Sequence, residues 1–314
     1  MKTFSRALAG LLFFPVSFAV AAPLAYVPNE ETGTISIINT EKDEVIGDIK
    51  AGDKPRGLVI GPGGKTLYVS DQPNNVLLVV DLEKRAVVDE IDLGESPEGV
   101  SISPDGKWVI AAVELTNSVA FVDPKTKKVE FNVKTKGQNP EHAVFSPDGK
   151  WVYVSAEDAE QVDVIDVAKK KQVAQIPVGK RPRGIAFLPD GRRAYVASEV
   201  ASEVYAIEVP SHKVLAKITG GNFSNGVTVH PDGKRVYISN GKDATVSVID
   251  TATNKIITTI PVGKRPWNMA ITPDGKKLYV ANGRSDSVSV IDTESNQKIK
   301  DIPVGVRPWG VVIR

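Results

Sequence analysis

The sequence predicts an all-β, seven-bladed β-propeller in which each blade is a four-stranded antiparallel sheet, and three periodic features carry that prediction. An acid or amide closes one strand of every repeat, at intervals of 42 or 43 residues. A ladder of prolines and a Pro-Asp-Gly type of turn recur with the same period, as expected for propeller blades. The strand-closing residues are Asn39, Asp81, Asp123, Asp166, Glu208, Asp250 and Asp292.

Within each repeat, apolar and polar residues alternate with a period of two, as in residues 287–291. Such alternation between Gly, Pro, Asn and Asp residues is typical of short strands. At residues 273–275 the turn is Pro-Asp-Gly, in which proline restricts φ, aspartate accepts backbone hydrogen bonds and glycine tolerates positive φ. We therefore expect four strands per repeat, the first nearest the axis, and no helix.

The two ends of the chain predict how the ring closes. Residues 307–314 have the pattern of a first strand only, whereas residues 25–29 have the pattern of a second strand. We expect the C-terminal strand to pair with the N-terminal strands and complete a composite blade, because this leaves no unpaired inner edge. Six complete repeats and one composite blade make seven.

Residues 1–21 are predicted to be a cleaved signal peptide, and residues 22–314 to be the propeller. Lys2 and Arg6 precede the apolar run Leu11–Val20, and small residues follow at the cleavage site. That run is too short for a permanent membrane anchor, so we expect a periplasmic protein without membrane insertion. The chain has no cysteine, which excludes disulfides and covalent haem attachment. With 39 basic and 38 acidic residues, net charge gives no sign of nucleic-acid binding.

Three segments share a tyrosine, apolar, small residue and asparagine pattern, and each is followed by a Val- and Ile-rich strand. These segments are Tyr26–Asn29, Tyr237–Asn240 and Tyr279–Asn282. In this pattern the chain resembles the YVTN-type β-propeller repeat family along the whole of residues 22–314. The resemblance implies the propeller fold, but a propeller by itself implies no function.

Four variant motifs are similar to a narrower subgroup, which is associated with pyrroloquinoline-quinone-dependent alcohol catabolism. They are Ser70–Asn75, Glu95–Gly99, Asn139–His142 and Arg265–Asn268. The resemblance implies a periplasmic accessory of quinone-dependent alcohol oxidation or of an associated transport system. It does not imply that this chain holds the quinone, and we expect no resident cofactor and no metal.

The loops that enter the first strands and those that follow the second strands should meet at one end of the ring, here named the top face. Departures from the repeat there are candidate ligand- or partner-binding residues: Lys54, Arg56, Arg265, Trp267, Asn268, Arg307 and Trp309. Secondary candidates are Glu98, Glu141, His142 and Arg183. We expect a basic and aromatic arc facing an acidic arc that holds Glu98 and Glu141 with Glu114, Glu157 and Asp158.

Each of these residues also has a structural interpretation. The two Arg-Pro-Trp tryptophans could cover blade edges, and Trp108 and Trp151 are assigned to blade packing. His142 could be a hydrogen-bonded residue near the axis. Glu98 and Glu141 could hold a cation or share a proton, but solvated carboxylates facing arginines are the preferred interpretation.

Two classes of function remain. The first is a monomeric, non-catalytic binding or accessory protein whose top face docks a periplasmic protein or a small anionic or aromatic ligand. The alternative is a propeller enzyme of the lyase or lactonase type that uses Glu141, His142 and a bound cation. Because the chain has no nucleophilic cysteine and few histidines, the first class is favoured.

Overall fold

Residues 22–314, described by a computed structural model, form seven four-stranded antiparallel sheets arranged as blades around an axis. The predicted seven-bladed propeller is therefore confirmed. The predicted signal peptide, residues 1–21, lies outside the described residues. Within residues 22–314 there is no helix of the length and apolarity that crossing a bilayer requires.

The blades are numbered from the first described strand, and each is given from the innermost strand outward except blade 1, whose innermost strand comes last in the chain. Blades 1 and 2 comprise Leu24–Asn29, Thr34–Asn39, Glu44–Lys50 and Val312–Ile313, then Pro55–Ile60, Thr66–Asp71, Val76–Asp81 and Ala86–Asp92. Blades 3 and 4 comprise Pro97–Ile102, Val109–Val113, Ser118–Asp123 and Lys128–Lys134, then Pro140–Phe145, Trp151–Ala156, Gln161–Asp166 and Lys171–Pro177. Blades 5, 6 and 7 comprise Pro182–Phe187, Arg193–Ser198, Glu203–Glu208 and Lys213–Thr219, then Ser224–Val229, Arg235–Asn240, Thr245–Asp250 and Lys255–Pro261, then Pro266–Ile271, Lys277–Asn282, Ser287–Asp292 and Gln297–Pro303. Single 3₁₀ turns occur at Pro62–Gly64 and Glu157–Ala159.

The composite blade closes the ring as the sequence predicts. Val312–Ile313 pairs antiparallel with Leu24–Asn29, and the amides of Leu24 and Arg314 each donate to the other's carbonyl at 3.1 Å. The amide of Trp309 also donates to the carbonyl of Pro28 at 2.9 Å. The C-terminal segment thereby satisfies the inner edge of the first strand, so the two ends of the chain are held together.

A repeated contact joins neighbouring blades, and we name it the latch. A tyrosine in the second strand reaches a turn of the next blade, as where Tyr195 Oη donates to Asn254 Oδ1 at 2.6 Å. In blades 5, 6 and 7 a cation at the start of the same strand also reaches this turn, as where Arg193 donates to the Thr251 carbonyl at 2.6 Å. The Tyr195 ring is fully buried while its hydroxyl is bonded, so this latch adds packing and a satisfied polar contact.

Candidate functional site

At the top face, the loops entering the innermost strands and the loops leaving the second strands enclose a cavity of about 330 Å³ on the axis. Ten of the eleven candidates from the sequence line it: Arg56, Glu98, Glu141, His142, Arg183, Arg265, Trp267, Asn268, Arg307 and Trp309. Lys54 is not among the lining residues, but its ammonium donates to Oε1 of Gln72, which lines the cavity, at 2.8 Å.

The residue directly after each second strand determines the charge around the cavity. In order from blade 1 to blade 7 these residues are Glu30, Gln72, Glu114, Glu157, Glu199, Gly241 and Gly283. Glu114 and Glu157 were predicted from the sequence as part of the acidic arc, whereas Glu30 and Glu199 were not, although they occupy the same position of the repeat. Acids thus surround most of the ring, whereas blades 6 and 7 carry only glycine at this position.

Arginines of the innermost strands insert between these carboxylates. Arg56 Nε lies 2.8 Å from Glu30 Oε1, and the other end of its guanidinium pairs with Glu98 of blade 3. Arg183 pairs with Glu141, with Glu157 and, at 3.3 Å, with Glu199. The expected division into one acidic and one basic arc is therefore wrong over blades 1 to 5, where opposite charges alternate.

Glu98 and Glu141 are not solvated, which corrects the preferred interpretation of the sequence. Their exposed fractions are 0% and 3%. Burial, together with the charge of Glu141, raises the pKa of Glu98 to about 8. Burial also opposes ionisation of Glu141, but the charges of Arg183 and Arg56 outweigh it and lower the pKa of that carboxyl. Of the two carboxyls, Glu98 therefore holds a proton more tightly, and its Oε2 has no hydrogen-bond partner within residues 22–314.

His142 and Trp309 meet across the axis. Trp309 belongs to blade 1 and His142 to blade 4, yet their rings stack with centroids 5.5 Å apart and planes at 15°. Neither ring nitrogen of His142 makes a hydrogen bond of normal geometry within residues 22–314, although the Asn268 side chain lies beside the ring and acts to raise its pKa. Burial lowers the pKa of His142, so the ring is neutral at pH 7. Trp309 is only 7% exposed, and we conclude that it packs in the cavity floor and does not project from the rim.

Trp267 is less buried than Trp309 and lies at the mouth of the cavity. The guanidinium carbons of Arg265 and Arg307 lie 6.0 and 5.7 Å from its ring centroid. Arg284, the next residue after Gly283, is exposed and makes no ion pair within the described residues. We name these four residues, Arg265, Trp267, Arg284 and Arg307, the basic corner.

The basic corner exists because blades 6 and 7 have no side chain after the second strand. A Cβ on Gly283 would lie 2.6 Å from the Trp267 ring, and a Cβ on Gly241 would lie 2.7 Å from the Arg265 guanidinium. The missing side chains leave room for the large ones. They also remove the carboxylates that neutralise arginines elsewhere, and Arg265 retains only Glu199 as a partner.

One group of acids could hold a cation. Oxygen atoms of Glu114, Glu141 and Glu157 lie within 4.8 Å of one another. Carboxylates are the ligands that Ca²⁺ prefers. However, Arg183 already pairs with Glu141 and Glu157, so its guanidinium supplies the positive charge that a cation would bring.

Comparison with known proteins connects the chain to propeller families. The family model described as lactonase, seven-bladed beta-propeller, matches residues 166–302, and the YNCE-like beta-propeller model matches residues 88–166. No curated protein is significantly similar in sequence.

Many solved structures share the fold. Hydrazine synthase from Kuenenia stuttgartiensis matches with a TM-score of 0.78 and 22% identity over 91% of this chain and 99% of that one. A protein of unknown function from Desulfotomaculum acetoxidans matches with a TM-score of 0.82 and 18% identity over 92% and 98%. A candidate 6-phosphogluconolactonase from Bacteroides uniformis matches with a TM-score of 0.78 and 20% identity over 93% and 99%. At these identities the likeness shows the fold alone. The chain is therefore a seven-bladed β-propeller protein with similarity to the lactonase and YNCE-like propeller families.

Proposed function

We propose that the chain is a periplasmic, non-catalytic binding or accessory protein that takes a small planar carboxylate in its axial cavity. The observation that carries this proposal is Trp267 held between two guanidiniums at the cavity mouth. A planar anion can stack on the indole while its carboxylates pair with the arginine forks.

Charge and shape support an anion at the basic corner over one elsewhere in the cavity. Arg56 and Arg183 are neutralised by buried glutamates, whereas Arg284 is exposed and unpaired within residues 22–314. A volume of about 330 Å³ is at the lower end of the range for small-molecule sites. A carboxylate with one or a few rings fits this volume, whereas a larger ligand would have to extend out of the mouth of the cavity.

The resemblance of the variant motifs supports a role beside quinone-dependent alcohol oxidation or an associated transport system. The predicted signal peptide supports export, and we propose that the chain acts as a monomer. An acidic surface of a periplasmic partner protein could engage the same basic corner. In that case the small carboxylate would compete with the partner for Trp267 and Arg284.

A lactonase-type enzyme is the second candidate. The partial family match favours it, together with the glutamate group at Glu114, Glu141 and Glu157 and the neutral, unpartnered ring of His142. This candidate requires a cation, which must compete with Arg183. Thermal unfolding measured with added Ca²⁺ or Mn²⁺ and then with chelator separates the two candidates, because specific binding raises the melting temperature. We expect no metal-dependent change, and a saturable rise lost in Glu141→Gln would favour the enzyme.

The binding proposal is tested by calorimetric titration with trimesate, a planar tricarboxylate, and with tricarballylate, a flexible one of the same charge. We expect trimesate to bind more tightly, and Arg284→Gln to weaken it about tenfold, which corresponds to ~1.4 kcal/mol. The matched control is Arg192→Gln, an exposed arginine next to a Pro-Asp-Gly turn at the other end of the ring. Equal affinity in both variants would contradict the proposal.

A further inference from the structure

One of the seven blades lacks the latch tyrosine. Between blades 3 and 4, the tyrosine position of the second strand is Ile110 and the cation position is Trp108. Within residues 22–314 neither side chain makes a hydrogen bond like those that Tyr195 and Arg193 make between blades 5 and 6. The equivalent turn of blade 4 therefore receives neither of these hydrogen bonds.

At this interface the aromatic rings lie on the third and fourth strands of blade 3, and not on the second strand as in the other blades. In blade 3, Ile110 lies beside Phe121, and Phe121 beside Phe131, across neighbouring strands. The two phenylalanine rings stack with centroids 4.5 Å apart. The matching positions in blade 5 are Ala206 and Ala216, next to the latch tyrosine. The rings of blade 3 therefore lie further from the axis than the tyrosine ring they replace.

The rearrangement leaves a cavity of about 650 Å³ at the end of the ring that carries the Pro-Asp-Gly turns. Its walls are the rings of Trp108, Phe131, Phe145 and Trp151. Trp108 meets Phe131 edge to face at 5.3 Å, so the wall is built from packed rings and not from mobile side chains. The predicted packing role of Trp108 and Trp151 is thus only part of what they do.

Cations surround the mouth of this cavity. Lys107 Nζ lies 5.0 Å from the centre of the Trp108 ring, and Lys170 Nζ lies 4.3 Å from that of Phe131. Neither ammonium has a carboxylate partner within residues 22–314, while the aspartates of the lining are already bonded. The lining carboxylates concerned are Asp105, Asp148 and Asp166.

We propose that this cavity is a second binding site, for a small aromatic anion. The four rings can pack against an aromatic group edge-to-face or by stacking. The two unpaired lysines can form ion pairs with its negative charge. The volume is within the usual range for small-molecule sites. The site is separate from the axial cavity, so this proposal does not depend on the proposed function of the top face.

The test uses anilinonaphthalene sulfonate, a fluorescent aromatic anion, with full-length protein that carries Trp267→Ala so that the basic corner is disabled. Ala168→Phe places a ring at the mouth of the cavity, where Ala168 is exposed. Ala252→Phe is the matched control, because Ala252 is exposed at the same position two blades further on. We expect saturable binding at one site per chain, about tenfold weaker in Ala168→Phe and unchanged in Ala252→Phe.

A second pair of variants leaves the cavity walls intact. Lys107→Gln with Lys170→Gln should weaken binding at least about threefold, whereas Lys127→Gln with Lys234→Gln, which changes repeat-equivalent lysines, should not. Absence of saturable binding would overturn the proposal. Equal affinity in both members of either pair would also overturn it.

Discussion

At the scale of single residues, two tryptophans in identical Arg-Pro-Trp motifs have different environments. Trp309 packs against His142 in the cavity floor, whereas Trp267 is only half-buried at the mouth. We expect Trp309→Ala to lower the free energy of unfolding by about 3 kcal/mol, as for other large-to-alanine changes at buried sites. Trp267→Ala should lower it by less than half as much. Denaturant unfolding of both variants measures this, and equal losses would mean that both rings are packing residues.

Glu98 makes stability depend on pH in a defined direction. Its pKa is raised from 4.5 to about 8, so the folded state holds its proton more tightly than the unfolded chain does. This contribution is fully present below about pH 4.5 and is lost as the pH rises through 8. Glu98→Gln mimics the protonated carboxyl at every pH. The stability of the parent relative to Glu98→Gln should therefore fall between pH 5 and pH 8.

The measurement is denaturant unfolding of the parent and of Glu98→Gln at several pH values in that interval. Glu203→Gln is a control, because Glu203 lies far outside the cavity lining and the pKa of its carboxyl is lowered. A difference between parent and Glu98→Gln that is constant, or that grows with pH, would contradict the raised pKa of Glu98.

At the scale of secondary-structure elements, the C-terminal segment holds the ring together. Deleting residues 304–314 removes the strand Val312–Ile313 and the Trp309 ring, and it exposes the inner edge of Leu24–Asn29. We expect the truncated chain to lose cooperative thermal unfolding and to aggregate. Differential scanning calorimetry with light scattering tests this, and a sharp transition close to the full-length temperature would show that closure contributes little.

The strands could be predicted from the sequence, because their turns and alternation are local features that repeat every 42 or 43 residues. The ion pairs could not. Arg307 pairs with Glu30, and Arg265 with Glu199 of a blade two positions away, so the partner depends on how the ring closes. The sequence shows Ile110 in place of the latch tyrosine. The cavity that accompanies this change could not be predicted, because blade 4 forms part of its wall.

At the scale of the whole molecule, a nearly neutral chain carries charge asymmetry on one face. The formal net charge is +1, and most top-face arginines are cancelled by glutamates after the second strands. Blades 6 and 7, with Gly241 and Gly283 at that position, add no carboxylate there, and Arg284 makes no ion pair within residues 22–314. The central claim is that this interruption of the acidic positions creates the anion site.

Gly241→Glu tests the claim most directly, because it restores the acid that other blades carry and places it against Arg265. Gly241→Ala is the control, since it adds the same Cβ without charge. Calorimetric titration with trimesate should show binding at least about tenfold weaker in Gly241→Glu, a loss of ~1.4 kcal/mol, and within about threefold of the parent in Gly241→Ala. Equal affinity in all three proteins, or an equal loss in both variants, would contradict the account.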